Sequence, residues 1–345
     1  MASDTFLEVS DLEAADRADW EAFVRNSAYG SAYSLPAYLD VLGDAIGETA
    51  RTIVVRRGGT LVGGIGFLER AAPLGSFVAP TLLLYYNGFV LPDYDTKYPS
   101  HRVARHNEVV AALALHLVGR GYGRLEIRSR SPFSDVRQLT STGWSAAPSY
   151  SYVVALDDLE HLWSTTDPNI RRLVGRARGL GLELAVNEDF SAFYDLHAST
   201  GERKAAPVYL PREAFATYYE RLAALGLCAL FHARTADGAV VASQLVLLGH
   251  AVTHTVSAAA DATWQKNGAN PFLRWSVFEY LAEHGYVAND LTDATPGPVA
   301  RFKSQLGGDL ALSFVTTRPA SFAYRAQRTA ARGARRARSL GRGTT

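Results

Sequence analysis

From Asn289 to Gly308 the chain gathers two carboxylates, Asp290 and Asp293, with Lys303 and the pair Gly307-Gly308. The stretch reads as a short strand, a Pro-Gly-Pro break and a return to order at Arg301-Phe302-Lys303. Loops that leave strand ends are where a rigid scaffold commonly presents chemistry. A lysine there can stabilise negative charge on a tetrahedral intermediate or a leaving group. Asp290 or Asp293 can take the proton of an attacking amine, provided geometry brings one of them within reach. The plain alternative is a surface turn with a solvated lysine.

The elements that must position this stretch can be read from periodicity. Residues 51–57 and 60–69 alternate as strands around Gly58-Gly59, a hairpin signal. Residues 106–119 have the spacing of an amphipathic helix, and 124–130 and 144–156 read as the strands after it. The segment 77–90 reads as strand broken by Pro80, and 92–101 as a loop. The same order then recurs. Strands at 228–234 and 239–248 repeat the first hairpin at an offset of 179, and Gly285-Tyr286 repeats Gly121-Tyr122 at an offset of 164. Duplication of a domain, with mixed sheet and helices on both faces, follows from that pattern. The expected division is an N-terminal domain at 1–157, a C-terminal domain at 158–318 and an Arg-rich tail at 319–345.

Composition narrows the class. The 345 residues are 48% hydrophobic and 20% charged, which suits a globular protein with a sizeable core. One cysteine, Cys228, excludes an internal disulfide and fits a reducing compartment, so a cytoplasmic location is expected. No apolar run is long enough for a bilayer, and the N-terminus lacks a secretory leader's basic and apolar regions. The net charge of +1 conceals an asymmetry: eight arginines and no acid follow Leu310, leaving the body at about −7. Arg171, Arg172, Arg176 and Arg178 form a second basic cluster. Either cluster could hold RNA, and the tail an anionic membrane face; solvation explains both equally well. The nine histidines form no metal-binding pattern, and no metal is expected.

Phe302-Lys303 followed by Gly307-Gly308, behind a helix that ends in Gly285-Tyr286 and a strand, resembles the C-terminal signature of the Fem family. The resemblance covers roughly residues 15–318. It implies two tandem GNAT-like domains, each a mixed central α/β sheet flanked by helices. It also implies aminoacyl transfer from aminoacyl-tRNA, a co-substrate in place of a bound cofactor, with Lys303 and Phe302 beside the reacting groups. Where the family often reads Asp-Phe-Gly, this chain has Asp290-Leu291-Thr292-Asp293, which leaves the substrate open.

Simple GNAT enzymes hold acyl-CoA pyrophosphate on a loop Gln/Arg-x-x-Gly-x-Gly/Ala at a helix N-terminus. Gln265, Gly268 and Asn270 match that loop except at its last position, and the first repeat has no counterpart. In Fem-like enzymes the segments matching Arg203 and Arg212 help hold the acceptor's phosphates, with Tyr209 on the loop between them beside Lys204. Tyr38 and Tyr85, with Tyr33, are candidates for the wall of the acceptor cleft, against ordinary core packing. Three readings follow. The first is aminoacyl transfer to an amine of a peptidoglycan precursor or peptide natural product. The second is acyl-CoA-dependent N-acylation, and the third a non-catalytic binder of RNA or an anionic surface.

Overall fold

The computed structural model describes residues 6–73, 75–203 and 208–319; Lys204 and the arginine-rich segment beyond 319 lie outside them. The first half contains β1 (Leu7–Asp11), α1 (Arg17–Asn26), α2 (Pro36–Ile46), β2 (Thr49–Arg57), β3 (Thr60–Arg70), β4 (Phe77–Val78) and β5 (Phe89–Val90). It continues with α3 (Pro99–Gly119), β6 (Arg124–Arg128), α4 (Arg137–Thr140) and β7 (Ser145–Ala155). The second half opens with α5 (Leu159–Thr165), α6 (Pro168–Gly179), β8 (Glu183–Val186), α7 (Phe190–Arg203) and α8 (Arg212–Ala224). It ends with β9 (Cys228–Arg234), β10 (Val240–Leu247), β11 (Val252–Ala260), α9 (Ala269–Glu283), β12 (Ala288–Asp293), α10 (Pro298–Ser304) and β13 (Asp309–Arg318).

The hairpins form where their turn residues demand. Gly58 and Gly59 both take positive φ (55° and 81°), as does Gly238 between β9 and β10 (88°), which matches the strand twist. Helix α3 starts at Pro99, seven residues before the apolar periodicity begins, and therefore consumes the end of the expected loop. Proline is favoured at a first helical position because its missing N–H has no partner there anyway. The 77–90 region is not one strand; Thr81 and Leu84 close a turn between two short ones.

The thirteen strands form one mixed sheet, in the order β1-β2-β3-β4-β6-β13-β7-β12-β11-β10-β9-β8, with β5 paired to β3 off that path. The two halves trade their last strands. Strand β7 pairs with β12, placing Ala155 opposite Ala288, and β13 pairs with β6, placing Val315 opposite Arg128. Between them β7 and β13 run antiparallel from Ser145↔Thr317 to Val153↔Asp309. Strands β6 and β7 begin 164 residues before β12 and β13, so the sequence offset is the step that interchanges the two pairings. Each half's sheet is thus continued by the last strand of the other half. The expected division at 157/158 falls between β7 and α5, and the sheet crosses it without a break.

Helices cover both faces. Helix α3 lays Val109, Val110, Leu113 and Leu117 on the first half's sheet, while α6 and α9 pack on the second half's. On the opposite face α1, α2, α7 and α8 share one core drawn from both halves, including Trp20, Tyr38, Phe215 and Tyr218. Cys228 is buried in that core, and burial pushes its thiol up to about 12, a structural thiol and not a nucleophile. No helix among the described residues is long and apolar enough to cross a membrane.

Candidate active site

The site begins as a failure of pairing. Strands β11 and β12 run parallel from Val252↔Ala288 to His254↔Asp290 and then separate. The cause is local to β12. Asp290 Oδ1 accepts the backbone N–H of Thr292 at 2.7 Å, and Thr292 takes φ +55°. A β-branched residue in the left-handed region is strained, by about 1–3 kcal/mol, and such strain concentrates at functional sites. The kink turns the carbonyls of Thr292 and Asp293 toward α10, where Lys303 Nζ donates to them at 3.3 and 2.6 Å.

Lys303 is therefore neither in a turn nor solvated. It lies on α10 and is 8% exposed. Burial, and then the neighbouring Arg274 cation, lower its pKa to about 8. An ammonium has three donors and two are engaged, which leaves one for a substrate. Were Lys303 the charged donor in the transition state, kcat should fall as pH rises through about 8. Lys303→Arg, which stays charged, should lack that limb in a pH–rate profile. The stability consequence has the opposite sign. Between about 8 and 10.5 the unfolded chain holds more protons at this residue than the folded one, so this group's contribution makes stability rise with pH there.

Three connected chambers line the separated strands. The central one, about 290 Å³, is bounded by Thr255, Val256 and Ser257 of β11, Thr292 and Asp293 of β12, and by His197, Arg274 and Lys303. A second, about 350 Å³, shares Thr200 and Ala258 with it and reaches Arg203, Gln265, Asn270 and Phe302 beside α6. A third, about 560 Å³, shares Tyr209, Val256, Thr292 and Asp293 with the central chamber and extends to Tyr33, Tyr85 and Arg128 of the first half. Arg128 lies over the Tyr85 ring at 4.5 Å, and burial pushes the Tyr85 phenol to about 12. The arrangement is a passage of three chambers that abut through shared wall residues, with Lys303 and Asp293 on the wall of the central one.

The residues named from sequence are distributed unevenly over this passage. Lys303, Asp293 and Tyr209 line the central chamber, Phe302, Arg203, Gln265 and Asn270 the second, and Tyr85 the third. Four others need correction. Asp290 is wholly buried beneath the kink, where Tyr86 OH donates to its Oδ2 at 2.9 Å, so it shapes β12 and meets no substrate amine. Arg212 faces away, paired with Asp195 and stacked on Tyr194, and lines none of these chambers. Gly268 is a packing glycine: a Cβ there would lie 2.3 Å from the Leu173 carbonyl oxygen of α6.

Tyr38 is fully buried, donating to the Leu83 carbonyl and lying 3.0 Å from Tyr218 OH. It belongs to the shared core and not to the cleft. Tyr38→Phe is expected to cost about 1 kcal/mol of stability, read from a denaturant midpoint, and to leave KM unchanged. Sequence reasoning passed over Arg274, His197 and Arg128. Arg274 had a visible signal, the lone basic residue of a largely apolar helix, one turn after Asn270. Arg128 had none, because its stacking on Tyr85 and its place in one chamber with β12 join positions far apart in sequence. His250 Nε2 lies 3.0 Å from the Ser27 carbonyl, while His254 Nδ1 comes no nearer than 3.7 Å to Asp290 and neither of its ring nitrogens has a hydrogen-bond partner; no metal-binding group occurs among the described residues.

Residues 166–304, which carry the central chamber, match a family described as an acetyltransferase (GNAT) domain. Fold and match together define a GNAT domain in the second half, within a Fem-like arrangement of two GNAT-like halves. The crystal structure of FemX superposes with a TM-score of 0.71 at 14% identity, over 89% of this chain and 96% of that one. The C-terminal domain of a putative lysylphosphatidylglycerol synthetase from Agrobacterium fabrum gives 0.58 at 14% identity, over 92% and 96%. A tandem GNAT protein from the clavulanic acid biosynthesis pathway gives 0.50 at 14% identity, over 90% and 98%. Likeness at such identities is a likeness of fold. No curated protein matches the chain in sequence.

Proposed function

We propose that the protein moves an aminoacyl group from aminoacyl-tRNA to an amine of a peptidoglycan precursor or a peptide natural product. The observation that carries this reading is the passage itself, with a buried lysine on the wall of its central chamber beside a carboxylate, Asp293, whose Oδ1 is held by Thr295. In this reading the donor ester enters beside α6 and Phe302, and the acceptor amine enters between the halves past Tyr85. The neutral amine attacks the ester carbonyl, and Lys303 donates its remaining N–H to the developing oxyanion. Asp293, which borders both the central and the acceptor chamber, accepts the proton released by the amine. Collapse of the intermediate breaks the ester C–O bond, and the ribose oxygen leaves with the proton that Asp293 took from the amine, which returns Asp293 to its carboxylate form.

Two features favour a tRNA donor over acyl-CoA. The loop 262–267 winds into a tight helical turn, and the Gly268 N–H donates to Gln265 within it, so that amide is not offered to a pyrophosphate. Helix α6 presents exposed Arg172 and Arg176 on the helix that walls the donor chamber, where a polyanion can lie. The acyl-CoA reading draws its support from the acetyltransferase family match. The deciding measurement is transfer of labelled amino acid from charged tRNA to peptide amines, with RNase-treated donor as control. Transfer that survives RNase, or that occurs only with acyl-CoA, would replace the first reading with the second.

A further inference from the structure

We propose that Arg274 makes the central chamber a carboxylate site, so that the acyl group transferred carries a carboxylate of its own. With a tRNA donor this means an aspartyl or glutamyl residue; with acyl-CoA it means a dicarboxylic half-acyl group. The inference rests on the transferase reading above and names the substrate class of its central chamber.

Arg274 is 6% exposed on a helix whose other buried residues, Phe272, Leu273, Trp275, Val277, Phe278 and Leu281 among them, are mostly apolar. Its Nε and Nη1 are buried without a hydrogen-bond partner, and no ion pair reaches the guanidinium among the described residues. A buried cation with nothing to balance it carries a heavy desolvation penalty, which a bound anion removes. The contrast with Arg130 is instructive. That arginine is also largely buried, but its Nε donates to the Gly30 carbonyl at 3.1 Å and its Nη2 to the Ala28 carbonyl. Arg130 is satisfied by the fold; Arg274 is left for a ligand.

The charges of the chamber select what that ligand is. Its wall holds two cations, Arg274 and Lys303, and one carboxylate, Asp293, while His197 is kept toward the neutral form by burial. One positive charge remains, which a single carboxylate balances. A planar guanidinium fork matches that group in geometry as well as charge. Position decides which part of the substrates bears it. Donor and acceptor arrive through the outer chambers, so the group that must occupy the space between them is the acyl group in transit. Asn270, whose Oδ1 is also buried without a partner, stands one turn before Arg274 and lines the donor chamber.

The test compares full-length protein with Arg274→Gln and Arg274→Met, the second keeping the side chain's length without its charge. Transfer is measured from tRNAs charged with Glu, Gln, Asp, Asn, Ala and Lys, and from succinyl-CoA against acetyl-CoA. The expected result is a kcat/KM for the acidic donors roughly 10- to 100-fold above that for their amides, lost in both variants. Equal use of glutamyl and glutaminyl donors by the wild type would overturn the proposal while leaving the transferase reading intact. So would an equal loss with every donor in variants that keep their melting temperature. Calorimetric titration with glutarate, glutaramide and inorganic phosphate reads the site without turnover. Binding of glutarate alone, abolished in the variants, supports the carboxylate site even where no donor is productive. Binding of phosphate in its place, or of no probe, overturns it.

Discussion

Lys303→Met is expected to fold and to lose about 100- to 1000-fold in kcat, the effect of removing one donor from an oxyanion-stabilising site. Methionine keeps the length of the side chain and its fit on α10. It leaves the carbonyls of Thr292 and Asp293 without the donor that now lies 3.3 and 2.6 Å from them. It also removes a cation held beside a second cation, Arg274, so the two changes in stability oppose one another. The measurement is single-turnover rate beside a denaturation curve. A rate near wild type would mean that the lysine serves only to tie α10 to the kink. A rate loss accompanied by unfolding would be answered by Lys303→Arg, which retains a donor and a charge.

Gly268→Ala is expected to destabilise by roughly 2–5 kcal/mol, from adding left-handed strain to an overpacked contact. The residue has φ +86°, and its new Cβ would lie 2.3 Å from the Leu173 carbonyl oxygen, a backbone atom that cannot rotate away. This outcome separates two roles for the same glycine. A glycine that admits a pyrophosphate would, on substitution, raise KM for the donor and leave the melting temperature in place. A glycine that seats α6 against α9 would lower the melting temperature first. The structure supports the second role, and a thermal melt of the variant decides between them.

Asp290 and Asp293 illustrate what could and could not be read in advance. Both carboxylates were legible as chemical groups near a strand end, and nothing in their types distinguished them. The kink at Thr292 did: it buries Asp290 under the sheet and leaves Asp293 at the junction of two chambers. Lys303 was equally ambiguous, a solvated turn residue or a site residue, until α10 was seen to press it against β12. Tyr38 and Tyr85 were alike as aromatics, yet one is locked into the shared core by Tyr218 and the other faces the acceptor chamber.

By itself the sequence determined the hairpins, the duplicated order of elements and the stretch that holds the chemistry, because each rests on local signals. Turn glycines, period-2 and period-3.6 patterns and a repeat offset survive without knowledge of what packs against what. Tertiary structure alone decided that β7 and β13 change places, since their partners lie far off in sequence (Ala155 opposite Ala288, Arg128 opposite Val315) and are not chosen by a strand's own pattern. It also decided that β11 and β12 part after His254 and Asp290, and that Arg274 ends with no partner inside the cavity so opened. Burial and the absence of a counter-charge are properties of a place in the fold, and that place comes into being only when α7, β11, α9, β12 and α10 close around it.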